Sequence, residues 1–291
     1  MAPRRRPPGG RLGRLPVQGA DSRGGRPVDD PRAARLRVAT YNVHRCRGLD
    51  GRVRPDRIAD VLREIGADLV GLQEVLSVAG GRAEEDQPHF LAEQLGCEMH
   101  FGAVRSHRGG GYGNLVLGAL PLGPGHLYDL SVAGREERGC LRVGARLRDG
   151  ATLHLFNVHL GTSLAERRQQ GPRLLEAVIR GSTDLAGPRV VLGDFNDWGS
   201  IFVSLLAAHF RGVDMRAHLG SARTYPGLLP LFNLDHIYYD DGLELAGLRL
   251  HRTPRALLAS DHLPLVADFR VRPGARRAEA AATKPAADAR A

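Results

Sequence analysis

Val190-Val191-Leu192-Gly193-Asp194-Phe195-Asn196-Asp197 decides how this chain is read: an apolar run that reads as a buried strand delivers a carboxylate and an amide to its own end. In extended chain Asp194 and Asn196 fall on one face, so one could bind or deprotonate a water while the other holds an anionic oxygen. The same residues beside Gly193 also suit an Asx turn, and the stretch alone leaves both readings open. Asp197 points the other way and reads as a turn residue. Endings of this kind recur along the chain. Asn42 closes the strand-like run Leu36–Tyr41, Glu74 follows Asp68–Leu72, His159 closes Thr152–Val158, and Ser260-Asp261-His262 precedes Leu263–Val271. Polar groups placed repeatedly where strands stop are how an active site is assembled on the rim of a sheet.

Between these strands the period becomes helical. Ile58, Val61, Leu62 and Ile65 recur at helical spacing and are closed by Gly66, and Phe90–Gly96 reads as a second, short helix. Ser163 and Glu166 carry a capping-box signature ahead of Leu174, Leu175, Val178 and Ile179, with Gly171-Pro172 expected to kink or restart that helix. A short helix is expected around Ile201–His209. Further strands are predicted at Cys97–Val104, Asn114–Leu117, Leu141–Leu147, Arg189–Leu192, Leu234–Tyr239 and Leu243–Leu250. Hairpins mixed with helical crossovers argue against a purely parallel sheet and for two packed mixed sheets flanked by helices.

A length of 291 residues with 42% hydrophobic content suits one α/β domain, expected over 35–271. The Arg/Pro/Gly-rich arm 1–34 and the Ala-rich tail 272–291 lack hydrophobic periodicity and are expected to be disordered. The formal charge of +9 resides in these ends: residues 1–36 carry nine Arg against three Asp, residues 271–291 five basic against two acidic groups, and positions 37–270 hold 27 of each sign. Nucleic acid is therefore a possible partner that the neutral core does not favour, because affinity by counterion release needs clustered cations. Cys46, Cys97 and Cys140 have neither the number nor the spacing of a disulfide framework or a zinc site. No run of about 18 apolar residues crosses a membrane and no signal peptide is evident. A cytoplasmic monomer is expected, with peripheral lipid contact still open.

Glu74, directly after a buried strand, could be a solvated acid or a ligand for Mg²⁺, which prefers hard oxygen donors. His159 and His262 could be core histidines or catalytic ones. Asp261 beside one of them, and Asp235 at the start of another strand, supply the carboxylate that fixes a tautomer and stabilises imidazolium.

Thr40-Tyr41-Asn42-Val43-His44, Leu72-Gln73-Glu74-Val75, Asn157-Val158-His159-Leu160, Gly193-Asp194-Phe195-Asn196, Leu234-Asp235-His236-Ile237 and Ser260-Asp261-His262-Leu263-Pro264 resemble, in order, the motifs of the endonuclease/exonuclease/phosphatase superfamily. Tyr112-Gly113-Asn114 and Glu137-Arg138-Gly139 sit where that family has matching blocks, so the resemblance covers about residues 36–270. It implies a four-layer α/β/β/α sandwich and Mg²⁺- or Mn²⁺-dependent hydrolysis of a phosphate ester. Carried over by position, Glu74 is the principal metal ligand, with Asn42 and Asp261 assisting. Asp194 orients or deprotonates the water, Asn196 positions it, Asp235 pairs with His262, and His159 contacts the phosphate. Arg138 and Asn114 are candidate phosphate contacts. The chain departs from the family at Gly118-Ala119, where Ser-Arg is usual, and Tyr112 is one step from the family's active-site Tyr, so no catalysis is assigned to it.

A small-molecule or lipid phosphodiester is the expected substrate, with Gly109-Gly110-Gly111 and Leu228–Phe232 as candidate rim loops. A repair-type DNA nuclease and a catalytically silent binding module are the alternatives.

Overall fold

Two parallel crossovers organise the molecule. In the computed structural model β1 (Arg35–Asn42) runs through α1 (Pro55–Ile65) into its parallel neighbour β2 (Leu69–Ser77). Later, β7 (Thr152–His159) runs through α3 (Leu164–Ile179) into its parallel neighbour β8 (Arg189–Asp194). The structure describes residues 35–179, 186–197, 205–206, 209–212, 224–227 and 232–272. The arm, the tail beyond 272, most of the helix expected at 201–209 and the rim residues Leu228–Leu231 lie outside these.

The remaining elements are α2 (Gln87–Leu95), β3 (Glu98–His107), β4 (Gly110–Gly118), β5 (Leu122–Asp129), β6 (Gly139–Arg146), β9 (Arg211–Gly212), β10 (Asp235–Tyr239), β11 (Leu243–Leu250), α4 (Pro254–Ala259) and β12 (Leu265–Val271). One sheet has the order β11-β12-β1-β2-β4-β3 and the other β5-β6-β7-β8-β10-β9, each mixed and six-stranded. Val38, Leu69, Val143, Leu155, Val190 and Phe269 fill the space between the sheets. Ile58, Val61, Leu62, Leu91 and Ala256 of α1, α2 and α4 cover the outer face of the first sheet, and Leu174 and Val178 of α3 cover the second. This is the expected four-layer sandwich. Burial on both faces is why the central strands read as continuous apolar runs instead of alternating ones.

Local chemistry sets the helix ends. Gly66 takes a left-handed conformation (φ 59°) and donates its N–H to the Leu62 carbonyl, a turn that a side chain would strain. Ser163 and Glu166 form the reciprocal capping box, with bonds of 3.2 and 3.1 Å. The helix that follows is continuous across Pro172, where a kink or restart was expected. Strand β5 escapes the sequence pattern because it is a largely exposed sheet edge, where Pro124 is tolerated. The Gly109-Gly110-Gly111 rim loop is corrected: Gly110 and Gly111 pair within β4, and only Arg108 and Gly109, at φ 46° and 76°, form the hairpin turn.

Amides fasten the sheets to each other. Asn157 of β7, fully buried, donates to the carbonyls of Leu72 (2.8 Å) and Leu115 (2.9 Å) and accepts from Gln73 Nε2 (2.7 Å). Asn114 of β4 donates back to the carbonyls of Gly139 (3.0 Å) and Asn157 (3.2 Å). In an apolar interlayer each of these groups would be costly unpaired, so the network favours one sheet register.

Candidate active site

Asn42, Asp194 and His159 are the last residues of β1, β8 and β7, and Glu74 lies near the carboxyl end of β2. Both parallel pairs thus present their carboxyl ends, where open α/β sheets place ligands. The two rims meet: Asn42 Nδ2 donates to Asp194 Oδ2 at 3.0 Å and to Glu74 Oε1 at 3.1 Å. Glu74 does not follow its strand as expected but sits inside β2, at a register shift between Leu72 and Val75 and with φ 59°. A bulge of this kind turns one side chain out of the strand's alternation.

Asp194 is the hub. Its Oδ2 lies 3.7 Å from His262 Nε2 and 3.9 Å from His159 Nε2, and its Oδ1 accepts from the Asn196 N–H at 2.9 Å. Asn196 is left-handed (φ 47°), not extended, and donates Nδ2 to the Leu160 carbonyl at 2.9 Å. The Asx turn and the site pair are therefore one structure: the turn brings Asn196 to the cavity wall. Asp235 stands opposite Asp194 in the antiparallel β8–β10 register and accepts from His262 Nδ1 at 3.0 Å. Asp197, read as a turn residue, is only 3% exposed.

Burial and charge separate the two histidines. Burial, then the cationic Arg138 and His262, hold His159 well below the usual imidazole range, so it is neutral. Burial also pulls His262 down, but Asp235, by charge and hydrogen bond, together with Asp194 and Asp261, overrides it and keeps the imidazolium to about 10. Asp194 is pushed up, chiefly by burial and further by Asp235, against the pull of His262 and Asn42.

These groups line a cavity of about 350 Å³ that includes Glu74, Arg138, His159, Asp194, Asn196, Asp261 and His262. Asn42 and Asp235 support it from behind, through Glu74, Asp194 and His262. Asp261 Oδ1 lies 3.5 Å from His44 Nδ1, and Ser260 ties the segment down by donating to the Asn42 carbonyl at 2.8 Å. Arg138, 5% exposed, donates Nη2 to Glu136 at 2.9 Å and leaves Nε and Nη1 buried without a hydrogen-bond partner among the described residues. Asn114 is corrected: both of its donor bonds go to the cross-sheet carbonyls, and it does not line the cavity.

Sequence reasoning assigned no role to Tyr225, His44, Arg45 or Glu136, all in the cavity wall, and declined one for Tyr112, which also lines it. The Tyr225 ring packs 4.7 Å from the His262 ring. His44, Arg45 and Cys46 all have positive φ (46°, 56° and 56°), which costs about 1 kcal/mol or more per residue. The bonds from the His44 N–H to Asn42 Oδ1 and from Gln87 Nε2 to the Arg45 carbonyl hold this turn in place. His44 stands inside a motif quoted from the sequence, but nothing in local spacing announces three left-handed residues.

The donor set suits a hard divalent cation: Glu74, Asp194 and Asp261 face one cavity, and Asn42 adds an amide whose oxygen and nitrogen differ only by a flip. Asp194, Asp235 and His262 also form a buried group whose ligand atoms lie within 4.8 Å of one another. Among the described residues no helix is long and apolar enough to cross a membrane.

Residues 39–262 match the Endonuclease/Exonuclease/phosphatase family model. The uncharacterized protein YbhP of Escherichia coli K12 is 33% identical over 253 residues, spanning 80% of this chain and 96% of YbhP. An endonuclease/exonuclease/phosphatase from Beutenbergia cavernae superposes with a TM-score of 0.70 at 24% identity, over 81% of this chain and 72% of the other. The mannosyl-6-phosphatase of Bacteroides thetaiotaomicron superposes with a TM-score of 0.65 at 16% identity, over 80% and 99%.

Proposed function

The chain belongs to the endonuclease/exonuclease/phosphatase family, whose members hydrolyse phosphoester bonds, and on that premise we propose a Mg²⁺- or Mn²⁺-dependent phosphodiesterase acting on a small-molecule or lipid phosphodiester. The observation that carries this reading is Asp194, a buried carboxylate of raised proton affinity held among Asn42, His159 and His262. Glu74 would hold the cation with Asn42 and Asp261; the chemistry it supplies when bound is charge stabilisation at the phosphoryl oxygens.

Each side chain has a definite task in in-line attack by water. Asp194 accepts the water's proton, its upward shift placing it closer to working pH than an ordinary Asp. Asn196, fixed by Leu160, orients the water without competing for that proton. His262 donates from Nε2 to a phosphate oxygen, and Asp235 on Nδ1 keeps it cationic. His159, neutral, hydrogen-bonds the phosphate without adding charge. Arg138 offers the two guanidinium donors that Glu136 leaves unused.

A cavity of about 350 Å³ suits a head-group-sized ester, and the name of the Bacteroides neighbour is that of an enzyme for a small phosphorylated sugar. The three cysteines are free, and a cytoplasmic enzyme, in a compartment that keeps thiols reduced, is part of the proposal. The test is Mg²⁺-dependent turnover of bis(p-nitrophenyl) phosphate, a phosphomonoester, abasic-site DNA and phospholipid by wild type and His262→Ala. Turnover of the diester and phospholipid, lost in the variant, is expected. Wild-type rates in His262→Ala sink the mechanism, and hydrolysis of DNA alone replaces this reading with the nuclease one.

A further inference from the structure

A second cavity, of about 330 Å³, adjoins the first, and the two share Arg45 and Tyr112 in their walls. Its lining is Arg45, Arg47, Val53, Leu76, Arg105, His107 and Tyr112, three guanidinium groups and an imidazole with no carboxylate. These basic side chains arrive from two places. The left-handed turn after β1 brings Arg45 and Arg47, and the end of β3 brings Arg105 and His107.

These charges are poorly neutralised. Arg45 has no carboxylate partner among the described residues, and Arg47 donates Nη1 only to the Gly51 carbonyl. Arg105 lies over the Tyr112 ring at 4.7 Å and reaches Glu136 at 3.7 Å, while its buried Nε has no hydrogen-bond partner among the described residues. Other arginines are paired at shorter range: Arg37 of β1 with Asp268 at 2.6 Å, Arg54 just before α1 with Asp56 at 2.6 Å, and Arg57 of α1 with Asp50 at 2.8 Å. Guanidinium groups that carboxylates neutralise only in part, gathered around one concavity beside a site that handles a phosphate, are a receptor for another anion.

The geometry points to a second-phosphate subsite: the Arg45, Arg47, Arg105 and His107 cavity takes a phosphate of the substrate other than the one being cleaved. This rests on the phosphoesterase reading and deepens it, because it selects substrates carrying two phosphate groups over simple diesters. Two small-molecule sources share that chemistry, a phosphorylated lipid head group and a 5′-phosphorylated nucleotide.

Binding and turnover test the subsite separately. Calorimetric titration of tripolyphosphate into the full chain, without divalent ion, should give a Kd about tenfold weaker for Arg105→Gln and about threefold weaker for Arg47→Gln than for wild type. Equal affinities in all three, or no binding by wild type, overturn the subsite whatever the enzyme hydrolyses. With Mg²⁺, kcat/KM is compared within two pairs, glycerophosphoinositol 4-phosphate against glycerophosphoinositol, and pTpT against TpT. A preference of about tenfold for the phosphorylated member of one pair, falling toward one in both variants, supports the subsite and identifies the source. A preference that survives both substitutions, or none in wild type, overturns it. If none of the four compounds is hydrolysed the phosphodiesterase reading fails, and the tripolyphosphate titration still decides the subsite.

Discussion

The two neighbouring cavities are built on opposite principles. In the first, functional groups are buried and bonded to one another: Asn42 holds Asp194 and Glu74, Asp235 holds His262, and the Asn157 network underlies them. In the second, Arg45 and Arg47 are exposed and bound to little else. Preorganisation belongs to the first, where misplacement by a fraction of an ångström would matter to a transition state. The second needs only to collect positive charge near an anion, which flexible side chains do adequately.

Substitutions can break this contrast, and the largest effect belongs to its centre. Asp194→Asn should lower kcat by about 10³–10⁴ with little change in KM, measured by initial rates on bis(p-nitrophenyl) phosphate; a loss under tenfold would remove the catalytic centre from the first cavity. Asn157→Ala should destabilise by about 2–4 kcal/mol in urea titrations, since it orphans the Leu72 and Leu115 carbonyls and Gln73. If it costs no more than an exposed substitution, the amide layer does not underpin the site.

Asp235→Asn comes next, with kcat down about 10²-fold at neutral pH. Without that carboxylate burial dominates His262 and its pKa falls, so the residual activity should be lost at lower pH than in wild type; an unchanged alkaline limb contradicts the pairing. The same pair predicts stability. His262 has a folded pKa of about 10, above its unfolded value near 6.5, so its contribution is complete below pH 6.5 and disappears as pH rises through 10. Urea midpoints of metal-free protein at pH 6, 8 and 10 should therefore fall more steeply for wild type than for Asp235→Asn.

Arg138→Gln should give the smallest of these effects, a rise in KM of about tenfold, because the first cavity then lacks two buried donors to phosphate. A change confined to substrate preference would instead move Arg138 to the second cavity's side of the contrast.

Strand and helix identity was legible wherever a local period repeats. The β1, β2, β7 and β8 runs, the α1 stripe and the α3 capping box all stand within a few residues of where their spacing puts them. Edge strand β5 was not, because a strand covered on one side imposes no pattern on Pro124 and its glycines. The candidate site residues could be named because strand ends are local features too, and their motifs occur in the family's order. Asn114 was misread for the complementary reason: its motif position was right, but whether an amide faces a cavity or crosses to another sheet depends on partners 25 and 43 residues away.

The sequence by itself thus determined most of the elements, two packed mixed sheets and most of the polar groups that close the strands, since each is written in spacing between near neighbours. Only the tertiary structure decided the bulge that turns Glu74 out, the left-handed turns at Arg45 and Asn196, and the proton affinities that set His159 apart from His262. It also decided that a core of balanced charge gathers Arg45, Arg47 and Arg105 in one hollow beside the acids. Charge count is a property of composition, but field and hydrogen bonding depend on distances between residues far apart in the chain, and those exist only once it has folded.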